Sequence, residues 1–436
     1  MKARAVAAAF RLGVRAPLRS RLVLALMPLL AVSVVVLPLK LVSDGTESGA
    51  LRMAVSWPLW AALSVLSAAT LWAGSAAVAG EIERKRFVSD AVSPAGVFPI
   101  WCGRWLGLVA LDAAMLAAAL AAVFCVARAK APEASREPVR VALPRDRAYD
   151  AEIAALLAGG DGALAAQALS ELRSGSYMPV SPGEARAWRF RLPRRPAGSV
   201  RLDFSCLSAY GVAQGVDGFL AVRPPEPGSP DIARFRLSKD GDGAFSAEIP
   251  GDGLAGLREV DVAFENDEDR ETGAGALVSY TDSVRLTVPG GGLAGNLARA
   301  GAAMLALLSL LAALGLACGC AFSPPVAAFV ATAVAAAVMA SGSGAWTDSG
   351  PVHSHGGSEE TPSAAHEAAE RFSGTAAAAL RATVAPVRKA AALDRAGDGI
   401  AIPPGDVLSA VAVCGIALPL ALGAAASAAL RRRELP

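Results

Sequence analysis

Six apolar stretches, at residues 22–42, 56–79, 105–127, 297–319, 324–341 and 406–430, constrain this chain more than any other feature. Lipid gives the backbone no hydrogen-bond partners, so an apolar run of about 20 residues crosses it as a helix. A mean hydropathy of +0.44, with only 18% of residues charged, fits that class and not an ordinary soluble one. The expected fold is an α-helical polytopic membrane protein with six transmembrane helices and an inserted extracytoplasmic all-β sandwich-like domain.

Direction across the membrane follows from Lys and Arg in short flanks, which resist translocation. They collect at Lys2, Arg4, Arg11, Arg15, Arg19 and Arg21, at Arg84, Lys85, Arg86 and Arg104, and at Arg431, Arg432 and Arg433. Six crossings put all three groups on one side. Both termini and the loop 80–104 are therefore expected inside, with 43–55, 128–296 and 342–405 outside. Trp57 and Trp60 would mark the outer interface, and Trp101 and Trp105 the inner one. The first stretch is too long for a signal peptide and lacks a small-x-small site, so it is expected to be retained as an anchor. Its preceding segment, residues 1–21, sets Val6, Phe10, Val14 and Leu18 beside Arg11 and Arg15, an amphipathic helix suited to the inner interface. Ser323 before Pro324-Pro325 predicts a tight turn into the fifth helix, and Pro419 predicts a kink in the sixth.

Residues 128–296 change character. Leu spacing from Asp150 to Arg173, broken at Gly159-Gly160-Asp161-Gly162, predicts two short helices. From Ala187 the period becomes 2, in AWRFRL, SVRLDFSCL, GFLAVRP, ARFRLSK, FSAEIP, REVDVAFEN, ALVSYT and SVRLTV. These eight runs between Gly, Pro and Asp turns predict an antiparallel sandwich over about 180–289. Asp240-Gly-Asp242-Gly and Glu265 to Asp269 depart from a calcium loop and read as hairpin turns. Pro289-Gly-Gly-Gly292 reads as a flexible joint back to the fourth span.

Little else points to chemistry. The six Cys lie mostly among apolar residues and indicate no disulfide framework. His353, His355 and His366 fall in a Gly/Ser-rich loop without the spacing of a metal protease; they are weak metal candidates, and no metal site is expected. Residues 364–393 predict one or two short surface helices. No P-loop, no Gly-x-Ser-x-Gly elbow and no His-Glu-x-x-His pair occurs, so no enzyme activity is expected of this chain. The near-neutral net charge of +2 gives no footprint for nucleic acid. Asp112, inside the third stretch, is a candidate intramembrane polar site, or an acid paired with a neighbouring helix or interfacial water.

The loop between the second and third stretches is the most informative segment. Glu81 and Glu83, then Arg84 to Arg86 and Phe87-Val88, suit a short amphipathic helix presented to a soluble partner. A solvated loop held inside by its positive charge is the plainer reading of the same residues. Together with the six stretches, the loop resembles that of the membrane subunit of ABC-2-type transporters: acidic-x-acidic, a basic or Gly-Thr pair, a Pro, then Gly-Lys before the third span. The matching residues are Glu81, Glu83, Arg84, Pro94, Gly103 and Arg104, followed by Gly107. Lys85-Arg86 stands where Gly-Thr is common, and Val97 and Phe98 replace polar and basic residues. The resemblance covers the transmembrane parts and not 128–296. It implies a permease subunit in a bacterial inner membrane, acting as a homo- or heterodimer whose coupling loop docks on a separate ABC ATPase subunit. That partner would carry the ATP and Mg, and this chain would bind no cofactor. The alternative is a non-transporting membrane anchor that presents the sandwich as a sensor or assembly module.

Overall fold

The computed structural model describes residues 2–41, 47–83, 96–157, 159, 161–165, 177–193, 198–208, 216–226, 228–238, 243–268, 275–279, 283–340 and 393–432. The chain divides into two compact units, Met1–Glu137 with Gly292–Pro436, and Pro138–Gly291.

The first unit is helical. α1 covers Lys2–Leu18, and α2 runs from Arg21–Ala31 through a π-helical segment, Val32–Val36, to Leu37–Lys40. α3 is Glu47–Glu83, α4 is Val97–Lys130, and the later helices begin with α6, Leu293–Ala321, and α7, Pro324–Ala340. α8 is the short Leu393–Gly397. α9 runs from Pro404–Ala410 through a second π segment, Val411–Ala417, to Leu418–Arg432. Helices within Gly49–Glu83, Val97–Lys130, Leu293–Ala321 and Pro404–Leu430 are long and apolar enough to cross a membrane; Leu24–Lys40 and Pro324–Ala336 are apolar but shorter.

Both π segments lie just before a proline, Pro38 and Pro419. Proline has no N–H for the carbonyl four residues earlier, and a widened turn is one way a helix absorbs that loss. The kink expected at Pro419 is thus taken up as a π segment. The turn before α7 forms as the sequence predicts, with the Ala327 N–H donating to the Ser323 carbonyl at 2.8 Å.

Two glycine seams bring helices into backbone contact. A Cβ on Gly103 would lie 2.5 Å from the Val6 carbonyl oxygen, and one on Gly107 2.5 Å from that of Phe10, so α1 lies directly on α4. Similarly, Gly74 meets Gly315 between α3 and α6, and a Cβ on Gly319 would fall 2.6 Å from the Ser75 carbonyl. Four-residue spacing of small residues is the usual seam for close helix packing in lipid. Around the close of α3, the start of α4 and the ends of α6 and α9, Val78, Trp101, Trp105, Leu316 and Leu430 form one buried cluster. Trp101 and Trp105 are therefore packed inside the helical unit, not displayed at an interface. Trp57 is 58% exposed. The opposite end is closed by polar contacts. Asn296 donates to the Ile400 carbonyl and accepts from the Ile402 N–H, both at 2.9 Å. Arg52 pairs with Asp398 at 3.2 Å, and Lys130 donates to the Leu41 carbonyl at 2.6 Å.

The second unit is a β-sandwich with one helix, α5, at Arg147–Leu157. Its strands are β1 Arg140–Ala142, β2 Tyr177–Val180, β3 Ala185–Arg191, β4 Val200–Ser205, β5 Leu207–Ser208, β6 Gly218–Arg223, β7 Ala233–Leu237, β8 Ala244–Ile249, β9 Glu259–Asn266, β10 Ala276–Ser279 and β11 Val284–Pro289. One sheet has the order β3-β9-β6-β7; a second, β1-β11-β4-β8, continues past a break as β2-β10-β5. At that break the chain passes from β4 to β5 through Cys206 and from β10 to β11 past Ser283, whose Oγ accepts from the Ser279 N–H at 2.7 Å. Alternation does the rest: Val200, Leu202 and Phe204 point inward from β4, and Trp188 and Phe190 from β3. Phe204 stacks on Phe264 of the facing sheet with centroids 5.0 Å apart.

All eight expected strands are present, the second divided at Cys206, and two short edge strands, β1 and β2, join them. The acidic segments differ from expectation. Asp240, Asp242 and Asp269 lie outside the described residues, and Glu265 and Asn266 are the last residues of β9 itself; β7 and β8, like β9 and β10, belong to different sheets, so neither pair forms a hairpin. Glu265 pairs with Arg234 at 2.9 Å, and the Asp217 N–H donates to Glu268 at 3.2 Å. The glycine joint also differs: the Gly290 N–H donates to the Val139 carbonyl at 2.7 Å and the Val139 N–H to the Gly291 carbonyl at 2.8 Å. The entering and leaving chains are zipped together. The first expected short helix is α5, anchored by Arg145 on Asp150 at 2.8 Å and by Arg191 on Asp146 at 2.7 Å. The second begins at 162–165, and 166–176 lie outside the described residues.

Candidate functional site

Glu81 closes α3 and Arg104 lies in the second turn of α4, so both flank the loop singled out in the sequence. The Arg104 side chain is almost wholly buried. It forms a salt bridge with the Glu81 carboxylate and donates to the Ala77 carbonyl at 3.3 Å. Burying an arginine is costly unless a charge and further acceptors meet it, and both do so here. The pair clamps the two stems of the loop together. Gly103 and Gly107, on the neighbouring turns, form the seam under α1, whose Ala9, Gly13 and Pro17 are buried while Phe10 and Leu18 stay exposed. Of the candidate loop residues, the structure thus brings together Glu81, Gly103 and Arg104 and leaves Glu83 exposed. Arg84 and Pro94 lie outside the described residues.

Further along α4, Asp112 is 5% exposed and accepts a hydrogen bond from the Thr70 hydroxyl of α3 at 2.8 Å. Its second oxygen, Oδ2, has no hydrogen-bond partner among the described residues. Asp112 thus pairs with a neighbouring helix, through a threonine that the sequence did not single out. The other acids and Lys, Arg or His residues within the six apolar stretches, Lys40, Arg299 and Asp406, each stand near an end of their stretch, and Asp112 alone lies well inside one. A second polar chain links three helices: the Trp105 Nε1–H donates to the Ser309 carbonyl at 3.1 Å, and the Ser309 hydroxyl donates to the Gly415 carbonyl at 2.9 Å. Gly415 lies in the π segment just before Pro419, where the Leu418 N–H reaches back five residues to the Val413 carbonyl and the proline offers no N–H of its own.

Between α2, α3, α6 and α7 lies a groove of about 520 Å³, lined by Leu26, Leu63, Leu71, Trp72, Leu311 and Ala335 among others. Two of its hydroxyls serve their own helices, Ser64 to the Trp60 carbonyl and Thr332 to the Ala328 carbonyl, both at 2.8 Å. The groove is therefore largely apolar. Among the described residues, no group of three or more His, Cys, Asp or Glu could hold a metal ion. His353, His355 and His366 lie outside the described residues, as does the segment 364–392. Comparison with known proteins finds no matching family model, curated protein or solved structure.

Proposed function

We propose that the chain is the membrane-spanning permease subunit of an ABC-2-type ATP-driven exporter in a bacterial inner membrane. In this reading α2 and α7 join the four longer helices as six spans. Both termini and the 84–95 loop face the cytoplasm, and the sandwich lies outside. Two such subunits, alike or different, work with a separate ATPase that holds ATP and Mg.

The observation that carries the reading is the clamp of Arg104 on Glu81 beside the α1 seam. A loop that receives a push from a soluble motor transmits it only if its stems are stiff. Here both stems are locked to each other and α4 is locked to α1. Because Glu81 is spent on Arg104, exposed Glu83 is the better candidate for contact with the partner. The largely apolar groove suits an apolar or amphipathic cargo.

An affinity-tagged chain purified from its native membranes is expected to carry an ATPase subunit. Glu83→Lys is expected to cut the amount retained at least several-fold with unchanged yield of the chain, since like-charge contact across an interface costs several kcal/mol. Full retention by the variant would remove Glu83 from the interface. A wild-type chain that comes away with no ATPase would favour the second reading, an anchor presenting the sandwich. What favours that reading is the sandwich's self-contained core.

A further inference from the structure

We infer that α1 is a receptor for anionic lipid headgroups, and this holds whichever activity the helical unit has. Residues 1–43 contain no acid, and the first is Asp44. Arg4, Arg11 and Arg15 are exposed, and at 100° per residue they fall within a sector of about 40°. That sector lies opposite the buried Ala9, Gly13 and Pro17, so the basic stripe points away from α4. Leu18, 38% exposed, stands close to the stripe and Leu12, 51% exposed, on its shoulder, while Phe10, 36% exposed, lies at the margin of the buried face.

Basic residues flanked by exposed apolar ones suit the headgroup boundary of a bilayer, where one side chain type meets phosphate and the other meets acyl chain. A soluble acidic partner would satisfy the arginines and leave Phe10, Leu12 and Leu18 uncovered. Position argues the same way: α1 ends at Leu18 and the apolar helix α2 starts at Arg21, so only Arg19 and Ser20 separate the helix that carries the stripe from one that enters the bilayer. A lipid held by this stripe would also steady α4, because Gly103 and Gly107 lie against the opposite face of α1.

The test uses the full chain in neutral detergent, titrated with phosphatidylglycerol or phosphatidylcholine and read by its thermal unfolding midpoint. Phosphatidylglycerol is expected to raise the midpoint at a lower concentration than phosphatidylcholine, and added salt is expected to weaken the difference. Each arginine near an anionic surface contributes about fivefold in binding. The triple variant Arg4→Gln, Arg11→Gln, Arg15→Gln should therefore need at least tenfold more phosphatidylglycerol, with its midpoint in phosphatidylcholine unchanged. The triple Arg→Lys variant should respond as the wild type does. Equal response of the wild type to both lipids, or an unshifted titration in the Gln variant, would overturn the inference. So would loss of the response in the Lys variant, which would point to a fold effect and not to charge.

Discussion

Cys206 is 6% exposed at the break between β4 and β5, and burial pushes its thiol from 9.0 up to about 11. The folded sandwich therefore holds the thiol proton more tightly than the unfolded chain does. Stability from this group is fully present below about pH 9 and falls as the pH rises towards 11, by about 2–3 kcal/mol in all. Urea unfolding of the Pro138–Gly291 unit at pH 8 and pH 10.5 checks the sign, with the wild type losing stability relative to Cys206→Ala at the higher pH. Cys206 is the sole thiol of that unit, so alkylation at pH 8 should follow unfolding and not precede it. Other residues were legible in kind but not in partner. The sequence marked Glu81 and Arg104 as exceptional, yet read both as facing an external protein, because two charges 23 positions apart carry no sign that they meet. Asp112 stood out by charge alone, whereas Thr70 looks like any threonine of an apolar helix until the packing of α3 on α4 brings it within 2.8 Å.

Helices and strands were legible where a period repeats often enough to be counted. The six apolar stretches map onto α2, α3, α4, α6, α7 and α9, and the eight alternating runs all form strands. β1 and β2 escaped notice because three or four residues cannot display a period of 2, and only their pairing with β11 and β10 makes them strands. Pairing itself is not written in alternation, which says which face a residue takes but not which strand lies beside it. For this reason the β7–β8 and β9–β10 connections looked like hairpins. The glycine seams show a further limit: Gly103 and Gly107 were noticed as part of a loop motif, whereas their local role is to let α1 lie on α4. A methyl group on Gly107 would stand 2.5 Å from the Phe10 carbonyl oxygen, and 2.9 Å from the Gly13 Cα. Backbone atoms cannot swing aside as side chains do, so Gly107→Ala is expected to cost about 1–3 kcal/mol. Gly295, in α6, has nothing within 4 Å of its added Cβ, and Gly295→Ala should be neutral or slightly stabilising. Thermal unfolding of the two variants in the same detergent checks the contrast, and equal midpoints would mean that the seam is not under tension.

At the scale of the whole chain, the question is where the inserted unit begins and ends. Alternation suggested a fold complete within 180–289, but the sandwich needs more. β1 extends the sheet at β11, β2 packs Met178 against the core, and α5 is tied to β3 by Arg191 on Asp146. Arg189 adds to this: it pairs with Asp261 at 2.7 Å and lies 4.2 Å from the Tyr149 ring centre, so the helix covers a charged pair on the outer face of the sheet. The hydrogen bonds between Val139 and Gly290–Gly291 then bring the two ends of the unit together. Termini that meet in this way mark a unit that can be excised, because both the fragment and the remaining chain keep their ends within a short link of each other. Residues 138–291 expressed alone are therefore expected to unfold cooperatively, with a β-type circular dichroism spectrum. Residues 180–289 should be clearly less stable or fail to fold, since that fragment exposes the edge of β11 and uncovers the Tyr149 side of β3. The complementary chain, with 138–291 replaced by a few glycines and serines, should still insert and keep the thermal midpoint of its helical unit. A 180–289 fragment as stable as 138–291 would show that β1, β2 and α5 are ornaments on a core already closed without them.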